Sequence, residues 1–159
     1  MERVAPAIEK IPNKISFEDR KKANSLLIRS YSFITASQPN EALLLLAQAS
    51  KLSPYDPDIA SSYGYALYLN GQHENAKNTL LLAQQLKPDF AEIYRFLAMT
   101  AAALNDRKWA KDSLLNYYKY ANHKDIAIGE MRRMLIERSE SDSIKLAAKE
   151  VLSIVAINK

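Results

Sequence analysis

The chain of 159 residues contains no cysteine. Disulfide frameworks and thiolate metal sites are therefore excluded, and a reducing compartment fits. Glycine occurs three times and proline six, which leaves little material for strand turns or long loops. No apolar run approaches the roughly 18 residues that a membrane span needs. The N-terminal stretch MERVAPAIEKIPNKI carries charges and two prolines without a continuous apolar core, unlike a secretory signal. The expectation is a cytoplasmic protein with no membrane span. Phosphate-cradling glycine loops, nucleophile elbows and metal-ligand spacings are missing as well. His73 and His123 are far apart, in or near expected loops, and read as surface residues. Nothing points to an enzyme, a cofactor or a metal.

What is present favours helix. Apolar residues make up 48% of the chain, ample for a core, and alanine and leucine, the best apolar helix formers, are abundant. The formal charge of +4 is unevenly spread. Residues 23–105 hold five basic and six acidic side chains, against six and four in 1–22 and eleven and eight in 106–159. A nucleic-acid binder concentrates basic groups in a stripe. Here DRKK (19–22) and Arg132-Arg133 both have acids close by and read as solvated helix faces, so no nucleic-acid partner is expected.

Pro54 and Pro88 are 34 residues apart, and the sequence before each repeats. ANSLLIRSYSFITASQPNEALLLLAQASKLSPYD (23–56) aligns with PDIASSYGYALYLNGQHENAKNTLLLAQQLKPDF (57–90). A 34-residue period of two helical stretches ending in proline marks a stack of helical hairpins. Small residues at Gly64, Ala98, Ala42, Ala76 and Ala110 let helices approach, and bulky residues three or four positions away fill the seams. Asn70-Gly71, Asn105-Asp106 and Ser37-Gln38-Pro39-Asn40 read as turns inside the repeats, with Pro39 placed to open a helix. Ser16 followed by Glu18 and Asp19 reads as a helix start near residue 17.

These slots resemble the tetratricopeptide repeat. Repeat 57–90 supplies Ala60, Tyr63, Gly64, Leu67, Ala76, Leu80, Ala83 and Pro88. Repeat 23–56 supplies Leu26, Ser30, Phe33, Ala42, Leu46, Ala49 and Pro54. Repeat 91–124 supplies Tyr94, Leu97, Ala98, Ala101, Ala110 and Leu114, but Tyr117 replaces a small residue and Asn122 replaces the proline. Residues 125–158 continue in degenerate form with Ile128, Met131, Leu135, Ile144, Ala148 and Val151. The resemblance implies an all-α superhelix of stacked antiparallel hairpins: an extended or disordered arm at 1–15, three repeats within 16–124, and a degenerate capping hairpin at 125–159.

By the same resemblance, the first helix of each repeat lines a groove that binds a protein partner. The face positions are Asn24, Leu27, Tyr31 and Ile34, then Asp58, Ser61, Tyr65, Tyr68 and Leu69, then Glu92, Arg95, Met99 and Ala102. Their apolar and aromatic character suits a peptide or an amphipathic helix. Co-chaperones of this family that clamp a terminal carboxylate use Lys and Asn here. This chain has Leu27, Tyr31, Ser62, Glu92 and Phe96 at the corresponding positions, so no such clamp is expected.

In size and repeat count the chain resembles the tetratricopeptide chaperones of bacterial type III secretion, a virulence setting. It would then hold a segment of an exported partner in the cytoplasm. The alternative is a structural adaptor of a larger assembly that docks through the arm and the last helix. SDSIKLAAKEVLSIVAINK has an apolar band wider than one packed face needs, so that helix is either deeply buried or docked on another chain. A homo-oligomer and a hetero-oligomer both stay open.

Overall fold

The computed structural model describes residues 15–137 and 140–157. The described residues form eight helices and no strand: α1 (Phe17–Thr35), α2 (Pro39–Leu52), α3 (Pro57–Leu69), α4 (His73–Leu86), α5 (Ala91–Ala103), α6 (Arg107–Tyr120), α7 (Lys124–Ile136) and α8 (Asp142–Ile157). The arm expected at 1–15 lies outside the described residues apart from Ile15. The chain divides into two compact units, Met1–Pro88 and Asp89–Lys159.

Local chemistry sets the helix starts. The Ser16 hydroxyl accepts from the Asp19 amide at 3.0 Å, and Glu18 and Asp19 lie in the first turn of α1, where acids complement the helix dipole. Pro39 and Pro57 each take the first position of a helix, where no amide is needed. The Asp56 carboxylate accepts from the amides of Asp58 and Ile59, and the Asp106 carboxylate from the Trp109 amide.

The three turns within hairpins are built alike. Ser37, Gly71 and Asn105 have φ of 56°, 73° and 59°, and they stand 34 residues apart. In each turn the next residue's amide reaches back to a helical carbonyl: Gln38 to Phe33, Gln72 to Leu67 and Asp106 to Ala101, at 2.8–2.9 Å. This left-handed step satisfies carbonyls that the helix end would leave bare. Only glycine adopts it without steric cost. Ser37→Gly should therefore raise stability by about 0.5–1 kcal/mol, and Gly71→Ala should lower it by about 1 kcal/mol. Equilibrium urea unfolding of the two variants checks the opposite signs.

In the first unit, α1 packs on α2 and α3, α2 on α3, and α3 on α4. Its core centres on Ala23, Leu26, Leu27, Ala42, Leu46, Ala49, Ile59 and Ala66. Asn70 ties two helices together, donating from Nδ2 to the Pro39 carbonyl at 2.9 Å and to the Ala66 carbonyl at 2.8 Å. The small slots Ala42, Ala76 and Ala110 and the bulky slots Leu46, Leu80 and Leu114 are all fully buried. Burying one such leucine contributes about 2 kcal/mol.

The second unit is assembled differently. Helices α5 and α6 form a hairpin, but α8 packs along both α6 and α7 and also touches α5, whereas α6 and α7 meet only slightly. The wide apolar band of the last helix is explained by this double seam. Ile144, Ala147, Ala148, Val151 and Val155 are buried, while Leu146 and Ile154 remain partly open at 44% and 39%. At the α6 end, where the repeat has lost its proline, the Lys124 ammonium donates to the carbonyls of Tyr118, Lys119 and Ala121 at 2.5–2.9 Å. That satisfies carbonyls a helix terminus leaves bare.

Arg107 and Lys111 on α6 pair with Glu150 on α8. The Arg107 hydrogen bond, aided by the charges of Arg107 and Lys111, holds the Glu150 carboxyl below its usual value, against a smaller opposing effect of burial. A depressed carboxyl favours the fold above its unfolded pKa, and the gain is lost as pH falls through the folded value. The wild type should accordingly be more stable than Glu150→Gln near neutrality, with the difference shrinking as pH falls below the usual carboxyl range. Thermal unfolding across pH 3–7 measures this.

Candidate partner-binding face

Helices α1 and α3 are in contact in the first unit, and the expected face residues of that unit come from these two helices. Their exposure is graded. Asn24, Tyr31, Asp58 and Leu69 are exposed, and Ile34, Tyr65 and Tyr68 are half-buried. Leu27 and Ser61 are buried. Leu27 belongs to the core, and the Ser61 hydroxyl donates to the Asp58 carbonyl at 3.1 Å. These two positions lie at the edge of the helix face that turns inward, so they do not offer side chains to a ligand.

The aromatic side chains form an ordered group. The rings of Tyr65 and Tyr68 are stacked, with centroids 6.2 Å apart and planes inclined by 11°. Tyr68 in turn meets the His73 ring at 5.5 Å. His73 is therefore not a loop residue at the surface. It is the first residue of α4, half-buried, and its Nδ1 is enclosed without a hydrogen-bond partner among the described residues. His123 is exposed and precedes α7. Near the start of α3, Asp58 pairs with Lys87 at 3.8 Å.

In the second unit, the face positions on α5 divide in the same manner. Met99 and Ala102 are buried. Glu92 and Arg95 pair with each other at 2.7 Å, and the Arg95 guanidinium lies 4.7 Å from the Phe96 ring centroid. The only arginine among the face positions is thus already engaged by a carboxylate of its own helix. Among the described residues no group of three or more His, Asp or Glu side chains is placed to hold a metal ion, and no helix is long and apolar enough to cross a membrane.

Two exposed apolar residues of α1 were not anticipated: Ile28, 59% exposed, and Phe17, 76% exposed. Ile28 occupies the repeat position held by Ser62 and Phe96, which are respectively buried and half-buried. The repeat pattern alone gives no sign that the position is covered in two repeats and open in the first.

Helical hairpins closed by three like turns at a 34-residue interval define a helical-repeat protein. Comparison gives the family. The tetratricopeptide repeat model matches residues 33–107, so that stretch carries the repeat of this family. The first tetratricopeptide repeat domain of Spaghetti (RPAP3), solved with the HSP90 peptide SRMEEVD, is similar at 19% identity and a TM-score of 0.64. That match covers 72% of this chain and 94% of the other. The first such domain of human RPAP3 is 16% identical over 84% of this chain and 98% of its own, with a TM-score of 0.66. The Sgt2 repeat domain from Aspergillus fumigatus is 19% identical over 94% and 87%, with a TM-score of 0.62. These likenesses establish the fold. No curated protein matches the chain.

Proposed function

We propose that the chain is a protein-binding module that holds an extended or amphipathic segment of one partner against the α1–α3 face, through Asn24, Tyr31, Ile34, Asp58, Tyr65, Tyr68 and Leu69. The observation that carries this reading is the stacked Tyr65–Tyr68 pair beside an open Leu69. Tyrosines give large apolar contact at low entropic cost and keep a polar tip for hydrogen bonding. The Spaghetti domain holds SRMEEVD, a peptide with three acidic side chains. On the α1–α3 face no cationic group stands at the corresponding positions, so the preferred segment here is neutral and apolar. The further reading is a small cytoplasmic chaperone that keeps such a segment of an exported partner soluble, as type III secretion chaperones do. In this reading α7 and α8 cap the array.

Exposed Leu146, Ile154 and Ile157 on α8 support the second reading, an adaptor that docks through its last helix. The two readings separate in one experiment. Partners captured from the native host by the wild type should fall at least about tenfold with Tyr65→Ala/Tyr68→Ala, a loss of some 1.4 kcal/mol or more, as expected of hot-spot tyrosines. Circular dichroism should show the variant still helical. Undiminished capture by that variant, with loss on Leu146→Ser/Ile154→Ser, would transfer the function to α8.

A further inference from the structure

Arg107 in the first turn of α6 reaches Glu150 in the middle of α8, and an open groove of about 440 Å³ lies beside that contact. Arg107 lines it from α6, and Leu146, Lys149, Glu150, Ser153 and Ile154 line it from α8. The α8 residues recur at three- or four-residue steps, so they share one face of the helix. Leu146 and Ile154 stand about 12 Å apart along the axis, and both remain open to solvent. The stripe continues one turn further to Ile157, which is 83% exposed.

The charge on this face is as uneven as its polarity. Glu150 is the one carboxylate among the lining residues. Arg107 and Lys111 both pair with it, so two cations share one anion. Lys149, exposed in the same lining, has no ion pair among the described residues. The groove therefore sets an apolar strip beside an unbalanced positive charge, and complementary charge selects the partner at such a rim. A second copy of this chain would bring the same surplus against itself across a two-fold interface, where like charges oppose pairing. A neutral apolar segment, of the kind proposed for the α1–α3 face, would cover Lys149 without pairing it.

We propose that the α6–α8 groove docks an acidic amphipathic helix of another protein. Two apolar side chains of that helix, about seven residues or roughly 10 Å apart, seat against Leu146 and Ile154. Carboxylates flanking them pair with Lys149 and with the excess charge at Arg107 and Lys111. The inference rests on the reading of α8 as a docking surface and adds the chemistry of its occupant. It is independent of the α1–α3 face, which takes a different segment.

The test is an amide-detected NMR titration of the full chain with a capped peptide of two Ala-Glu-Glu-Leu-Ala-Glu-Ala repeats. Two counterparts carry Gln for every Glu, or Ser for both Leu. The acidic peptide should shift the Leu146, Lys149 and Ile154 amides saturably, with a Kd of about 1 mM or tighter. Lys149→Glu should weaken it at least about threefold, and Leu146→Ser/Ile154→Ser at least about tenfold. Both counterparts should bind at least about threefold more weakly, and Tyr65→Ala/Tyr68→Ala should leave the response intact. Equal saturation by the Gln peptide would keep α8 as a docking surface but overturn its acidic occupant. Equal saturation by the Ser peptide, or no saturable response to the acidic one, would overturn the groove itself. Sedimentation with phosphatidylserine vesicles in place of a peptide response would make the face a membrane contact and overturn it as well.

Discussion

Gly64→Val should destabilise the first unit by about 3 kcal/mol. A Cβ built on Gly64 would fall 2.6 Å from Leu80 Cγ and 2.7 Å from its Cδ2, with the Leu80 amide nitrogen at 3.4 Å. Leu80 is fully buried between α3 and α4. The clash is with Cγ and Cδ2 of a fully buried side chain, which can turn away only into a packed core, so the leucine or α4 must shift. Replacing a helical glycine ordinarily recovers up to about 1 kcal/mol of propensity. At this position the overpacking outweighs that gain, and even Gly64→Ala should lose stability. Hydrogen exchange at the α3 and α4 amides reads the loss directly. A valine variant as protected as the wild type would mean that the hairpin is looser than described.

The second large effect belongs to the last helix. Val151→Asp should cost the second unit about 3–4 kcal/mol and release α8 from its seam. Val151 is fully buried among Ile144, Ala147, Ala148 and Val155. Arg107 and Lys111 are already engaged with Glu150, so a carboxylate at 151 would be buried without a partner. Trp109, the single tryptophan, is buried in α6 and reports the change. Its fluorescence should shift to the red, as in a wetter environment. Unchanged emission and an unchanged unfolding midpoint would make α8 an appendage that adds little to the second unit.

Much of this architecture was legible in the sequence because the repeat is a physical constraint. A position that must let two helices touch accepts only a small residue, as at Ala42, Ala76 and Ala110. A position that closes a hairpin must accept a left-handed step, as at Ser37, Gly71 and Asn105. What the period cannot supply is the partner of an apolar face. The band on α8 was visible, but its division between α6 and α7, which themselves meet only slightly, was not. The resemblance puts Leu27, Ser61, Met99 and Ala102 on the face, whereas the fold buries these four side chains. His73 was misplaced because α4 begins one residue after Gln72, and helix boundaries are the feature that spacing defines least.

The central claim is that a partner segment lies on α1 and α3 of the first unit. Hydrogen–deuterium exchange of the chain with and without its captured partner tests it most directly. The account predicts slowed exchange concentrated in α1 and α3, around Tyr31 and Tyr65–Leu69, with α8 unchanged. Slowed exchange confined to α8, with α1 and α3 unaltered, would contradict it.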